Sequence, residues 1–325
     1  MKVDRQKLHI VAVLLLSLLM CVSLPMIGAV LSGEAAAKYL EFPPRTHYVE
    51  HAPYRVGAFW LVAVLELVFL YLPLAAVLIK TAEIPPLARR GFPWWGWLGI
   101  VAGAVSWGLA WTRFPWFAGF QRHTFSPLWL SYIVVVNAVS FWRGGRCMLT
   151  DTPRFFLLLF PVSAAFWWLF EYLNRFVQNW YYVGIDDLSA AEYFWLATLP
   201  YSTVLPAVLG TYNVLTTFLG DTPLVLERSG TRRREALATL MLALAVFGLL
   251  GIGLWSNFLF PLLWIAPLLV LSALMELAGE DSLLFHLPSR GMKRLALLAS
   301  AALICGFFWE MWNYCSLAKW VYEVP

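Results

Sequence analysis

Charge is what this sequence has least of. Only 13% of its 325 residues are Asp, Glu, Lys or Arg, against about a quarter in a soluble domain. That deficit excludes an ordinary water-exposed globule. Histidine is scarce too, with five in the chain. Only His9 falls inside an apolar run, so no pair of facing histidines is available for haem. The four cysteines, Cys21, Cys147, Cys305 and Cys315, have no metal-ligand spacing. Cys21 and Cys305 lie in apolar runs, Cys147 in a loop assigned to the cytoplasm, and Cys315 alone near an oxidising face. No disulfide is expected. There is no glycine-rich phosphate loop, no Ser–His–Asp order and no basic soluble domain for nucleic acid. The reading contains no metal, no cofactor and no nucleic-acid partner.

What is abundant is apolar and aromatic. The chain is 61% hydrophobic, with 18 Trp, 23 Phe and 13 Tyr and a mean hydropathy of +0.71. This composition suits membrane interfaces and greasy pockets. The expected class is an all-α polytopic membrane protein with about nine transmembrane helices. They are read at residues 8–31, 56–79, 95–111, 127–142, 155–174, 191–219, 236–255, 261–277 and 295–313.

The first run follows Lys2, Arg5 and Lys7. A signal peptide cleaved near Ala35–Ala37 is the rival reading. The run is longer than the about 7–15 residues of a signal core, so it is read as an uncleaved anchor. The loop after it carries His47, Glu50 and His51. That is the inverted zincin order, which binds zinc only when both histidines share a helix face. Pro43, Pro44 and Pro53 bracket it, so an interfacial loop, lying over a site, is the expectation. Glu66 sits near the middle of the second span, where an ionisable group faces a cavity or a partner. The sixth span is overlong and interrupted by Pro200, Pro206 and Gly210, and proline inside a span frees carbonyls that need other donors.

Sixteen of the 23 basic residues fall in segments of one side of this layout, including Arg89, Arg228 and Arg290. The positive-inside rule then places the N-terminus in the cytoplasm and the C-terminus outside. The localisation expected is a cell membrane of the bacterial inner-membrane kind.

One stretch occurs twice. FWWLFEYLNRFVQNWYY at 166–182 and FFWEMWNYCSLAKWVY at 307–322 share paired aromatics, a Glu, an Asn three residues on, and a Trp followed two residues later by Tyr. Glu171, Asn174, Trp180 and Tyr182 answer to Glu310, Asn313, Trp320 and Tyr322. Each copy closes a three-span unit, and Ser126–Trp129 and Pro261–Trp264 open the middle spans. Four segments follow: two N-terminal spans with an outer loop (1–92), repeat 1 (93–185), a broken linking helix (186–234) and repeat 2 (235–325). The two units run in the same sense, a parallel repeat with its pseudo-twofold axis along the membrane normal.

Arg154 to Glu171 is 17 residues and Arg294 to Glu310 is 16. At 1.5 Å per residue both glutamates lie about 24–26 Å above their inner arginines, near the outer edge of a core about 30 Å thick. On a helix, Glu171, Asn174 and Gln178 form one polar stripe, with Arg175 placed to pair with Glu171. Arg113, Arg122 and His123 join this level from the neighbouring loop. The second copy has fewer polar groups, which suggests an active first site and a partly silenced second. Catalytic candidates are Glu171, Asn174, Glu66, Glu310 and Asn313. Substrate-binding candidates are Arg113, Arg122, His123, Gln178, Trp180 and Trp320.

The duplicated unit, Glu171 and Glu310 among aromatics, and Ala191-Glu192-Tyr193-Phe194-Trp195 together resemble the small integral-membrane terpenoid cyclases, including the lycopene cyclase domain. The last stretch is similar to that family's Pro-x-Glu-Glu followed by aromatics, without the Pro and one Glu. The resemblance spans the fourth to sixth helices. It implies metal-free chemistry by membrane acids and aromatics, and assigns no single catalytic residue. A protonated carboxyl can protonate an alkene, and Trp and Tyr faces can stabilise the resulting cation. Three readings stay open: an enzyme acting on a lipid or isoprenoid at the outer leaflet, a carrier or subunit for a lipid, quinone or ion, and a scaffold. The expected partner is a membrane lipid or other hydrophobic small molecule.

Overall fold

In the computed structural model, residues 2–51, 53, 55–88, 90–220, 232–280, 282–286 and 291–324 are described. Arg89, Arg228 and Arg290 of the charge count lie outside them. Of the described residues, 77% are helical. The main helices are α1 (Lys2–Leu31), α2 (Val56–Thr81), α3 (Trp94–Trp111), α4 (Phe125–Gly144) and α5 (Pro153–Val177). After a short strand β1 (Trp180–Val183) come α6 (Ala190–Tyr201), α7 (Val204–Leu219), α8 (Arg232–Leu254), α9 (Leu262–Leu277), α10 (Met292–Tyr314) and a strand β2 (Lys319–Tyr322).

Among the described residues, seven helical segments are long and apolar enough to cross a membrane. They are Gln6–Leu31, α2, α4, α5, the α6–α7 segment Ala190–Leu219, α8 and α10. Tryptophan-rich α3 and the 16-residue α9 fall outside that set. The Ala190–Leu219 segment is broken, as its prolines require. The break falls at Ser202 and Thr203, one turn after the start of the Pro200 disturbance. Ser202 and Thr203 return their hydroxyls to the carbonyls of Leu199 and Pro200.

Two cores hold the bundle. One joins α1, α5, α8 and α9 through Cys21, Leu173, Leu249, Ile252, Leu263 and Val270. The other joins α4, α5, α7 and α10 through Trp129, Ile133, Phe156, Ala207 and Trp312. Small residues set the α1–α8 crossing. A Cβ on Gly28 would stand 2.1 Å from the Leu250 carbonyl oxygen, and one on Gly253 would stand 2.2 Å from that of Pro25. The two backbones touch only because both positions lack a side chain.

α2 is the outlier. Leu74 is its one buried residue among those described. A π-helical turn, Leu67–Tyr71, follows Glu66 directly. Glu66 is exposed on the bundle's outer surface and lines neither cavity described below, so the expectation that it faces a cavity is corrected.

The loop after α1 runs over the C-terminal end of α5. Arg175 reaches back to it, donating to the carbonyls of Lys38 and Glu41 and pairing with the Glu41 carboxylate at 3.3 Å. The expected Arg175–Glu171 pair is therefore replaced by an anchor for this loop. His47, Glu50 and His51 lie in extended chain, not on a helix, and His51 Nε2 donates to the Gln178 carbonyl at 3.2 Å. The zincin geometry is absent there. All four cysteines are free.

Candidate functional site

The site begins with how α5 ends. Gln178 adopts φ +53°, a left-handed conformation that stops the helix at Val177. Such a conformation is uncommon for a residue with a Cβ and costs about 1 kcal/mol. Asn174 holds it. Its Oδ1 accepts from the Asn179 and Trp180 amides, and its Nδ2 donates to Trp180 O at 2.7 Å and Thr46 Oγ1 at 2.9 Å. Asn174 is thus a C-terminal cap and makes none of its bonds to Glu171. Gln178 leaves the helical stripe altogether. Both results correct the sequence reading, for one reason. A polar residue near a helix end is drawn to the orphan backbone groups there.

The cap turns the chain into β1, which pairs antiparallel with β2. The register is Trp180↔Tyr322, Tyr181↔Val321, Tyr182↔Trp320 and Val183↔Lys319. Asn313 repeats the cap at the end of α10, donating to Trp320 O at 2.9 Å and accepting from Trp320 N at 3.1 Å. Tyr322 donates to Glu310 at 2.9 Å, as Tyr182 does to Glu171 at 2.5 Å.

Glu171 is fully buried. Its Oε1 accepts three hydrogen bonds, from Tyr182 at 2.5 Å, Trp180 Nε1 at 3.1 Å and Trp167 Nε1 at 3.2 Å. Tyr201 donates in turn to the Tyr182 hydroxyl at 2.7 Å. Burial, reinforced by the neighbouring Glu171 charge, pushes the Tyr182 phenol well above its usual range. It therefore stays a proton donor at neutral pH. The result is a continuous chain of exchangeable groups from Tyr201 through Tyr182 to Glu171.

That chain ends in the wall of a cavity of about 230 Å³. One side is formed by Trp167, Trp180, Tyr182, Tyr193, Tyr201 and Trp264, the other by Trp309, Trp320 and Tyr322, with Arg122, Glu310 and Lys319 as polar members. Trp264 stacks between Phe170 and Trp180 at 5.1 and 5.4 Å, and Trp167 lies 5.0 Å from Trp309. Both motif copies therefore border one cavity.

The structure brings together Glu171, Trp180, Trp320, Glu310 and Arg122. Arg122 lines the cavity with its guanidinium 2.8 Å from Asp187, and that contact holds the Asp187 carboxyl below its usual range. Other candidates go elsewhere. Arg113 ties the end of α3 to the end of α10, donating to Ala110 O at 2.9 Å and Cys315 O at 2.6 Å. His123 is exposed and off the cavity wall. Glu192 forms a capping box with Ser189 at the start of α6. Asn313 is a cap. Sequence reasoning left Tyr182, Tyr193, Tyr201, Trp264, Trp309 and Lys319 out of the site candidates, although Tyr182 belongs to the repeated motif. Tyr201 was visible as a residue flanking the helix break, and Trp264 as a marker of the repeat. The chain matches no family model, no curated protein and no solved structure.

Proposed function

We propose that this protein is a multi-pass membrane enzyme that takes a lipid or isoprenoid into the aromatic cavity. Glu171 supplies or accepts the proton, and Tyr182 and Tyr201 relay it to the cavity wall. The observation that carries this reading is the buried Glu171 carboxyl, joined by two phenols to a cavity rich in aromatic side chains. Chemistry of this kind needs a proton source held away from bulk water and a wall that tolerates developing positive charge. The carrier reading needs a polar track along the broken helix. The Ser202 and Thr203 hydroxyls at the break bond to their own helix instead, which favours the enzyme.

The same proposal includes nine spans, with α3 and α9 completing two parallel three-helix units, N-terminus inside and C-terminus outside in a bacterial inner membrane. It is supported by the matching hydrogen bonds of Asn174 and Asn313, and of Glu171 and Glu310. The strand register, which pairs Trp with Tyr across the copies, supports it as well.

The test compares lipid extracts from cells lacking the protein with cells carrying the wild type or Glu171→Gln. Deletion is expected to accumulate one hydrophobic species and deplete another, and Glu171→Gln is expected to behave as the deletion. Full restoration by Glu171→Gln would refute the role of Glu171. Labelling of single cysteines placed at Gly33 and Gly145 from either side of the membrane tests the orientation.

A further inference from the structure

A second cavity, of about 300 Å³, lies at the opposite end of α5. We infer that it binds a phosphate group, carried by an anionic phospholipid headgroup or free in solution. This inference stands apart from the chemistry assigned to Glu171.

Three observations converge. The first is a hydroxyl without a partner. Ser140 is 2% exposed, lines the cavity, and its Oγ makes no hydrogen bond. A buried hydroxyl left unpaired costs about 1–3 kcal/mol, and a bound acceptor removes that cost. The second is the start of α5, a 25-residue helix whose N-cap Thr152 forms part of the wall and makes no capping bond from its side chain. Pro153 at the first position carries no N–H, so what the helix start contributes is its dipole, which favours an anion. The third is the remaining wall, with Arg146, Asn213, Thr216 and Thr217. Arg146 is 81% exposed along its side chain and touches Asp151 through Nε alone.

Asp151 also lines the cavity and would repel an anion unless neutralised. It is neutralised. Its carboxylate accepts from the Cys147 amide at 2.9 Å, the Thr150 hydroxyl at 2.7 Å and Arg146 at 3.2 Å. These contacts, the Cys147 amide foremost, hold it below the usual carboxylate range. Arg143 lies behind the wall, its guanidinium 3.6 Å from the Phe218 ring and bonded to the Thr217 carbonyl. Arg90 packs beside Gly145. A polar pocket between helices, with Arg146 on its rim and Ser140 unpaired in its wall, has the chemistry that recognises lipid phosphates.

The experiment is thermal unfolding of the full-length chain in uncharged detergent, followed by tryptophan fluorescence. The added probes are inorganic phosphate, phosphatidylglycerol, phosphatidylcholine, and chloride at matched ionic strength. A saturable upward shift with phosphatidylglycerol alone supports a lipid headgroup. A shift with inorganic phosphate as well supports a site that accepts the free ion. The double variant Ser140→Ala/Arg146→Glu is expected to weaken the apparent affinity at least tenfold. Should it fail to fold, Arg146→Glu alone, on the exposed rim, is expected to do the same. The inference is overturned by no shift with any phosphate, by an equal shift with chloride or phosphatidylcholine, or by wild-type affinity in the folded variant.

Discussion

Replacing Asn174 with Ala tests whether the two asparagine caps differ as their geometry requires. Asn174 is fully buried and serves four partners: the Thr46 hydroxyl, the Trp180 carbonyl, and the Asn179 and Trp180 amides. Asn313 is 7% exposed and serves only the Trp320 carbonyl and amide. At about 1 kcal/mol per bond, with more where a buried group is left unpaired, Asn174→Ala is expected to cost about 3–4 kcal/mol. Asn313→Ala is expected to cost about 1–2 kcal/mol on the same scale. The extra loss at Asn174 also includes release of the loop at Thr46. Unfolding free energies of the purified variants, from titration with a denaturing detergent, measure both. Limited proteolysis of the loop at 32–51 provides a second readout, since only the Asn174 variant should expose it. Equal losses in the two variants, or a smaller loss for Asn174→Ala, would refute the capping argument.

Tyr182 yields a pH prediction. Its folded pKa lies well above the ordinary phenol value, which is about 10 in the unfolded chain. Above pH 10 the unfolded state therefore binds fewer protons than the folded one, and stability falls as pH rises. Tyr182→Phe should lower stability at pH 8 and flatten that alkaline decline, as read from unfolding midpoints at pH 8 and 11. An undiminished decline would mean that other groups cause it. At Gly184, φ is +77° and an added Cβ would meet the Leu317 carbonyl oxygen at 2.5 Å. Gly184→Ala should destabilise the β1–β2 pair by about 1–3 kcal/mol, and retention of wild-type stability would contradict the close approach. Glu66 is exposed on α2 and makes no hydrogen bond or ion pair among the described residues. Glu66→Leu should leave unfolding free energy unchanged or raised, and a loss above about 1 kcal/mol would reveal a partner for the carboxyl.

Helix identity was readable because apolar length is a local property. The all-helical class, the seven long apolar helices and the Pro200 break all rest on side chains a few residues apart. Helix ends were harder to place. Periodicity extends a stripe to Gln178, whereas Asn174 cannot both face Glu171 and cap the carbonyl of Trp180. Arg175 shows the same limit, since i,i+4 spacing offers Glu171, yet the carbonyls of Lys38 and Glu41 come from a loop more than 130 residues away. Arg113 is taken up by the carbonyl of Cys315 at the end of α10 and His123 faces away from the cavity, because position along the chain carries no information about direction.

The sequence by itself determined the class of protein, its apolar helices and the recurrence of Glu, Asn, Trp and Tyr in two copies. Only the tertiary structure decided that the copies meet, strand against strand, around one cavity. It also decided that Tyr182 and Tyr201 link Glu171 to that cavity and that Glu66 stays outside. The physical reason is range. Hydrophobicity and helix periodicity are written within a few turns of chain. The meeting of α5, α6, α9 and α10 depends on shape complementarity between segments up to about 140 residues apart, which no single segment encodes.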